Sequence, residues 1–422
     1  MLTLRGAALL VVAVVLWAVG RLLGVAEMYV LSVAAFTLVL AAALAVRTSS
    51  ATIAARRSLS TPRLLTGGTA EVQLQLRNDA RLPASLLMVE DRCHYALAES
   101  PPRFVVPGLR PGRAILLRYS VTGANRGRYT IGPVTLRVRD PFGLVERVRR
   151  YTTTDEAIVY PQVEPLPANV ARGAHHGSGT SAERRLFNTG DEFYTMREYV
   201  TGDDLRQVHW PSTAHRRKLM VRQQEMPWQV QATILLDTRS TRHSGHGQDS
   251  TMEKAVSVAA SLIWHLADRR YDLQLVTADQ ERVPPVQPWS THLDRLAEVE
   301  GCRDRPLAPL LGKLRSGAEG LLAVVLGAPA SSGDGLAADQ DVRALLQAGR
   351  GRSGRLCVIV DVQRDRPLRS PAQQLASLLN RAGWRAVVLT PDQRLADQLD
   401  ALPQRRRRPA PAATPAATGS TG

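Results

Sequence analysis

The feature that most constrains the fold is a pair of uncharged apolar segments near the amino terminus. Residues 28–46 contain no charged side chain, and as a helix rising about 1.5 Å per residue they would span about 28 Å, close to the thickness of a hydrocarbon core. Residues 6–20 are also uncharged but slightly short, so they cross a bilayer if Arg5 and Arg21 extend toward its two interfaces. A secretory signal peptide is the alternative for this first segment. Because a second apolar segment follows almost at once, the sequence predicts a transmembrane helical hairpin.

The distribution of charge around the hairpin predicts its orientation. The short linker 21–27 carries one positive and one negative charge, whereas arginines flank the two outer ends of the hairpin: Arg5, Arg47, Arg56, Arg57 and Arg63. By the positive-inside rule both ends face the cytoplasm. Three widely separated cysteines, Cys93, Cys302 and Cys357, do not resemble a disulfide framework, which agrees with that side. We therefore expect a two-pass plasma membrane protein, with the lipid bilayer as a partner and the soluble domains in the cytoplasm.

The chain after the hairpin is predicted to be all-β at first. Short alternating runs at 71–78, 115–121, 135–140 and 157–161 are separated by turns rich in glycine, proline and asparagine. This spacing favours an immunoglobulin-like β-sandwich. The segment Asp140-Pro141-Phe142-Gly143-Leu144 is interpreted as a loop that ends a strand.

Beyond Trp228 the pattern changes to strands that alternate with helices, which predicts a parallel sheet covered on both faces. The predicted strands are 230–237, 271–278, 321–328, 356–362 and 384–390. The predicted helices lie at 252–270, 338–349 and 371–382, with a pair of helices around 291–315. The full prediction is a multidomain chain: a hairpin in 1–50 with helices at about 6–23 and 28–46, a β-sandwich in 58–165, a linker and signature segment in 166–228, an α/β domain in 229–402, and a disordered tail in 403–422.

The segment 187–224 interleaves acids and arginines with large aromatic side chains. Oppositely charged groups at this spacing can pair locally or hold neighbouring elements together, and the aromatic faces are expected to be buried. We predict a short helix over Phe193–Val200, a glycine turn, and a second element ending near Trp210. The segment is interpreted as an interdomain clamp and binding site formed by Glu192, Phe193, Arg197, Tyr199, Gly202, Asp203, Arg206 and Trp210.

These clamp residues, together with Ala214, resemble the signature of domain-of-unknown-function family fifty-eight. The chain departs from that pattern at Pro211 and His215, where the family commonly has basic residues. The resemblance implies a bacterial membrane-anchored protein whose α/β domain is similar to a von Willebrand factor type A module. Genes for similar proteins often accompany those for MoxR-type AAA+ ATPases, which implies such an ATPase as a partner.

The resemblance also directs attention to the end of the first predicted α/β strand, because ligands of parallel sheets bind at the carboxyl ends of strands. A von Willebrand type A module places Asp-x-Ser-x-Ser there to hold Mg²⁺ or Mn²⁺. This chain retains Asp237, Ser240 and Thr241, but Arg239 replaces the first serine, and a guanidinium supplies no lone pair to a metal. We therefore expect a degenerate metal site and no bound cofactor. Two roles stay open: Arg239 pairs with Asp237 in the place of the ion, or Asp237 only caps the following turn.

The function predicted from these features is that of a membrane-anchored scaffold or adaptor without enzymatic activity, which works with a MoxR-type ATPase in envelope-related assembly. One alternative is a hydrolase that uses signature acids such as Asp203 together with His209. The other is a metal-dependent protein-binding module. The net charge of +16 suggests nucleic acid as a partner, but the chain lacks recognisable nucleic-acid-binding motifs, and anionic lipid headgroups explain the same charge.

Overall fold

The computed structural model describes residues 1–50, 53–81, 83–84, 86–171, 194–199, 210–216, 218–224, 230–314, 320–329, 334–362 and 370–401. The chain divides into two compact units. The first contains Met1–Val163 and Ser290–Glu300, and the second contains Glu164–Trp289 and Gly301–Gly422.

The first unit begins with two antiparallel helices, α1 (Leu4–Leu23) and α2 (Ala26–Ser50). Thr3 caps the start of α1, and Gly24 ends it with a left-handed φ of 68°. The Ser32 hydroxyl donates a hydrogen bond of 2.7 Å to the carbonyl oxygen of Ala13 and so links the two helices. Both helices are long and apolar enough to cross a membrane.

Nine strands follow in two sheets. They are β1 (Ile53–Leu59), β2 (Arg63–Leu65), β3 (Thr69–Asn78), β4 (Leu86–Cys93), β5 (Arg103–Val106), β6 (Ala114–Thr122), β7 (Gly127–Arg139), β8 (Glu146–Tyr151) and β9 (Asp155–Tyr160). One sheet has the order β1-β3-β6, and the other has β2-β9-β7-β4-β5 with β8 paired to β7. Leu74 of β3, Leu87 of β4 and Leu136 of β7 are fully buried in one core, so the two sheets face each other. The four β-strands predicted from sequence are confirmed.

A buried ion pair joins the two sheets. Arg57 of β1 donates hydrogen bonds of 2.9 and 2.6 Å to the two carboxylate oxygens of Asp91 on β4. Tyr119 of β6 donates a further bond of 2.7 Å to Asp91. Burial and the Asp91 charge raise the pKa of the Tyr119 phenol well above its usual value, so Tyr119 remains a donor.

The second unit is an α/β sheet with a small hairpin before it. The elements in chain order, together with α5, of which all residues but the first belong to the first unit, are β10 (Tyr194–Glu198), α3 (Trp210–Arg216), β11 (Met220–Gln224), β12 (Gln231–Leu236), α4 (Thr251–Asp268), β13 (Asp272–Thr277), α5 (Trp289–Glu298), α6 (Ala308–Leu314), β14 (Leu321–Leu326), α7 (Asp334–Ala338), α8 (Gln340–Ala348), β15 (Gly354–Val360), α9 (Pro371–Arg381), β16 (Arg385–Leu389) and α10 (Leu395–Asp400).

The large sheet is wholly parallel, with the order β13-β12-β14-β15-β16. Its strands are nearly continuous apolar runs because helices cover them. Ile234, Leu275 and Cys357 are each fully buried. The alternation of strands and helices predicted beyond Trp228 is confirmed.

Most of α5 belongs to the first unit, where it is held by charged side chains. Arg63 of β2 pairs with Asp294 at 3.0 Å, and the Tyr160 hydroxyl donates to the same carboxylate at 2.6 Å. Arg128 of β7 pairs with Glu298. The arginine and the tyrosine hydrogen bonds lower the pKa of Asp294, so its carboxylate stays charged.

The prediction of a helix over Phe193–Val200 is wrong for residues 194–198. Tyr194–Glu198 is the strand β10, and it pairs antiparallel with Met220–Gln224. A helix of this length is marginal by itself, whereas tyrosine and threonine suit a paired strand. The element at Trp210 begins there as α3, whereas the sequence predicted an element ending there.

Candidate functional site

The order of the parallel sheet places a crevice at the end of β12. β12 lies between β13 and β14 in the sheet. The connection after β12 leads to β13 on one side, whereas the connection after β14 leads to β15 on the other side, so the two connections run in opposite directions. Such a switch point opens a crevice at the carboxyl ends of the two strands. Asp237 follows β12 directly, and its backbone N–H donates to the Val325 carbonyl oxygen on β14 at 2.8 Å. The Asp237 carboxylate therefore lies at the crevice.

Arg239 fills the position beside this carboxylate. Its Nε and Nη2 atoms each donate a hydrogen bond of 2.8 Å to a different oxygen of Asp237. Its Nη1 atom donates at 2.6 Å to Oδ2 of Asp341, in the first turn of α8. The side chains of Asp237 and Arg239 are 1% and 6% exposed, so one buried guanidinium joins two carboxylates.

The electrostatics of this triad keep Arg239 charged. Burial opposes its charge, but the hydrogen bonds to Asp237 and Asp341 outweigh burial and raise the pKa of the guanidinium above its usual value. Asp304 lies farther away, with a carboxylate oxygen 3.9 Å from Nη1. The triad is therefore a closed ion-pair network with its positive group at the centre.

Local backbone contacts hold the network in place. The Asp237 carboxylate also accepts a bond of 3.2 Å from the backbone N–H of Arg239. The N–H of Cys302 donates to the Thr238 carbonyl oxygen at 2.7 Å, and the N–H of Ser240 donates to the Cys302 carbonyl oxygen at 2.9 Å. Of the two roles that the sequence left open for Asp237, both are therefore present: it binds the guanidinium and it caps the turn.

A small apolar cavity of about 40 Å³ lies beneath the ion pairs. Its walls include Leu235, Leu311, Val324 and Leu345, and Asp237, Arg239 and Asp341 form its polar side. Gly327 allows the close backbone approach at this edge, because a Cβ there would lie 2.2 Å from the Arg242 carbonyl oxygen. The cavity has room for a few water molecules at most.

The residues present do not fit a Mg²⁺ or Mn²⁺ ion. Both oxygens of Asp237 are engaged by a cation, and a guanidinium repels a second one. The Ser240 hydroxyl donates to the Cys302 carbonyl oxygen at 3.0 Å and does not turn toward Asp237. Ser240 and Thr241 are exposed and form the outer rim of the strand ends.

The structure places the remaining predicted site residues as follows. Glu192, Phe193, Gly202, Asp203 and Arg206 lie outside the described residues, as does His209 of the hydrolase alternative. Arg197 lies in β10 opposite Val221, and the N–H of Tyr199 donates to the Leu219 carbonyl oxygen at 2.8 Å. The clamp as a unit stays a prediction.

One expectation within the clamp is wrong. Trp210 was expected to be buried, but 68% of its surface is exposed at the start of α3. Trp210 is the first residue of the seven-residue helix α3. The burial argument therefore does not apply to this tryptophan.

Asp341 and Cys302 are the site residues that sequence reasoning missed. Asp341 is 102 residues from Arg239 in the chain. The available signal was weak: Asp339 is a typical helix N-cap, and its carboxylate accepts a bond from the Asp341 N–H at 2.9 Å. Only the parallel strand order brings this helix start to the end of β12.

Comparisons with known proteins agree with the resemblance seen in the signature segment. Residues 195–394 match the family model described as "Protein of unknown function DUF58". An uncharacterized protein of Bacillus subtilis (strain 168), YeaD, is 23% identical over 250 residues, which are 57% of this chain. The match covers 60% of that relative's length, so the chain spans less than two thirds of it.

Similar solved structures cover only about a quarter of the chain. The CARDB domain of a Pyrococcus furiosus protein is 15% identical with a TM-score of 0.19, over 25% of this chain and 86% of that one. A fragment of Escherichia coli alpha-2-macroglobulin is 18% identical with a TM-score of 0.22, over 26% of this chain and 17% of that one. Scores this low support no inference about function.

The fold and the site define a class of protein: a chain with two membrane-length helices, a β-rich unit, and a parallel α/β sheet whose strand-end crevice is closed by an arginine. The family match gives the more particular statement. Over residues 195–394 the chain is similar to the DUF58 family, whose function is unknown.

Proposed function

We propose that the protein is a membrane-anchored scaffold or adaptor that binds a protein partner at the strand-end rim of its α/β unit. The observation that carries this proposal is the buried pairing of Arg239 with Asp237. Because the Arg239 guanidinium takes the place of a metal ion at the crevice, the exposed Ser240 and Thr241 would form a polar recognition surface that needs no metal ion.

The same pairing supports a role without catalysis. A general base or nucleophile needs a free, suitably tuned group, whereas Asp237 and Asp341 are both neutralised by hydrogen bonds to one guanidinium. Recognition of a partner is therefore better supported at this crevice than chemistry.

The two helices and the charges around them support a position for the protein in the cell. Two membrane-length helices form a hairpin, and arginines flank its outer ends, which supports a two-pass plasma membrane protein with its soluble units in the cytoplasm. A MoxR-type AAA+ ATPase is the proposed partner, in a process of envelope assembly.

Finer features of the fold belong to the same proposal. Two facing sheets in the first unit support an immunoglobulin-like sandwich. The five-stranded parallel sheet, with an aspartate at its switch point, supports a von Willebrand factor type A-like module. In such a module Arg239 would replace the ion.

In-cell crosslinking followed by capture of the full chain from native membranes tests this function. We expect an ATPase of the AAA+ class or an envelope membrane protein among the captured partners, and the Asp237→Asn/Arg239→Leu variant should lose it. Recovery of neither kind of partner, or equal recovery with that variant, would contradict the proposal. A reporter fused at the carboxyl terminus should be active only in the cytoplasm.

A further inference from the structure

The loop between β7 and β8 is built as a rigid tip that displays an aromatic side chain. Asp140 is 3% exposed, and its two carboxylate oxygens accept backbone hydrogen bonds from Phe142 at 2.9 Å and Val145 at 2.6 Å. Gly143 has a left-handed φ of 70°, which turns the chain back toward β8. Phe142 at the tip is 62% exposed. An exposed phenylalanine marks an interaction site when it belongs to a contiguous patch of exposed apolar side chains.

This tip is fastened to the first turn of the membrane-length helix α1. The Thr3 hydroxyl donates to the Gly143 carbonyl oxygen at 2.6 Å, and the Thr3 backbone N–H donates to the Leu144 carbonyl oxygen at 2.9 Å. Gly6 lies so close that a Cβ there would be 2.1 Å from the Leu144 carbonyl oxygen. The loop and the start of α1 are therefore one structural element.

The end of α2 lies at the same rim. Arg147 of β8 donates a hydrogen bond of 3.2 Å to the carbonyl oxygen of Arg47, in the last turns of α2. Val46, one residue earlier, is buried in the same core as Leu144 and Val145. Both outer ends of the hairpin thus meet the β7–β8 edge.

Helix length then sets the depth of the loop. Helix α1 has 20 residues, which at about 1.5 Å each gives about 30 Å, the thickness of a hydrocarbon core. If α1 crosses the bilayer, its first turn lies at the headgroup boundary, and so does the loop fastened to it. Exposed apolar side chains at the start of α1, in the loop and in β8 are Leu2, Leu4, Phe142 and Val148.

Charge at this rim fits an anionic lipid surface. The exposed Arg5 has its guanidinium close to Gly143 in the loop, and the exposed Arg147 contacts the end of α2. Basic side chains at this depth attract anionic headgroups, while a phenylalanine inserts among the upper acyl chains.

We propose that the rim formed by Leu2, Leu4, Arg5, Phe142, Arg147 and Val148 is a membrane-docking surface, with Phe142 inserted at the headgroup boundary of an anionic phospholipid bilayer. This inference rests on the membrane anchoring proposed above. It adds a second attachment of the first unit, which holds the β7–β8 edge against the lipid.

Depth-dependent quenching of fluorescence tests this inference on the full chain in lipid nanodiscs. An environment-sensitive fluorescent amino acid is placed at Phe142, at Val33 two turns into α2 and within its uncharged segment, or at Tyr95. Tyr95 is 77% exposed, and its neighbour His94 stacks on Tyr129 near the start of β7. Since β7 runs ten residues from Tyr129 to its end at Arg139, Tyr95 is separated from the loop by about 33 Å of strand.

We expect phospholipid spin-labelled near its headgroup to quench position 142 several-fold more than position 95. Lipid labelled at the acyl-chain end should quench position 33 most. Quenching at 142 should increase when phosphatidylglycerol is added to zwitterionic discs, and the Arg5→Glu/Arg147→Glu variant should lose that increase.

The three labelled positions distinguish failure of the docking surface from failure of the membrane anchoring. Quenching at 33 but not at 142 would overturn the docking surface and leave the anchor intact. A lack of quenching at 33 would overturn the membrane anchoring, and the docking surface with it. Equal quenching at 142 in zwitterionic and anionic discs would overturn the preference for anionic lipid.

Discussion

The guanidinium of Arg239 donates two hydrogen bonds of 2.8 Å to the two carboxylate oxygens of Asp237, at the switch point of a parallel sheet. The pair is almost wholly buried. Arg239 thus occupies the carboxylate that a metal-dependent module would use to bind its ion. The first two predictions depend on this pairing.

Removing only the cation should destabilise the second unit. Arg239→Leu leaves the Asp237 carboxylate buried without its partner, which costs about 3–5 kcal/mol in the free energy of unfolding. The Asp237→Asn/Arg239→Leu variant should recover most of that loss. Denaturant unfolding of both variants measures the difference, and an unfolding free energy of Arg239→Leu equal to that of the wild type would refute it.

Opening the crevice should create a metal site. The wild-type protein should give no saturable heat with Mn²⁺, because Arg239 occupies Asp237. Arg239→Ser frees the carboxylates of Asp237 and Asp341 and adds a hydroxyl, so it should bind Mn²⁺, and the Asp237→Ala/Arg239→Ser variant should not. Isothermal titration calorimetry decides this, with saturable wild-type binding as the contradicting result.

The ion pair between the sheets of the first unit should matter more than its neighbouring hydroxyl. Asp91→Asn leaves the buried Arg57 with a weaker partner and should cost about 3 kcal/mol or more. Tyr119→Phe removes one hydrogen bond to the same carboxylate and should cost about 1.5–3 kcal/mol. Arg57 also pairs with Asp155 at the start of β9 at 2.8 Å. Unfolding free energies in the reverse order would show that Arg57 is held chiefly by Asp155.

One buried histidine should make stability fall in mild acid. Burial first, and the charge of Arg269 second, lower the pKa of His265 from 6.5 to about 4. Between pH 6.5 and about 4 the histidine binds a proton in the unfolded chain but not in the folded chain. The contribution of neutral His265 to the free energy of unfolding is therefore complete above pH 6.5 and is lost as the pH falls toward 4. His265→Gln should therefore lose less thermal stability than the wild type over that interval. Parallel pH profiles of Tm would contradict the assignment.

The sequence predicted the elements that have strong periodicity. The apolar runs around Ile234 and Cys357 are strands because a parallel sheet buries both faces, and 28–46 lies within α2 because its composition suits a membrane. Composition alone failed at Tyr194–Glu198, where pairing with β11 determines the structure. Patterns in the local sequence do not reveal a partner strand that is distant in the chain.

The site was only half predictable for a similar reason. Asp237 and Arg239 are two residues apart, so their pairing could be proposed from spacing alone. Asp341 reaches the same guanidinium only through the order of the strands, which sequence periodicity does not encode. The exposure of Trp210 could not be inferred from its size.

Site-specific photo-crosslinking in native membranes tests most directly whether the strand-end rim binds a partner without a metal ion. A photoreactive amino acid replaces Thr241 at the carboxyl ends of the strands, or Arg381, an exposed residue at the end of α9 on the opposite edge of the sheet. We predict a discrete protein adduct from position 241, unchanged by a metal chelator, and none of that size from position 381. An adduct that disappears with chelator, the same adduct from both positions, or none from position 241 would contradict the proposed function.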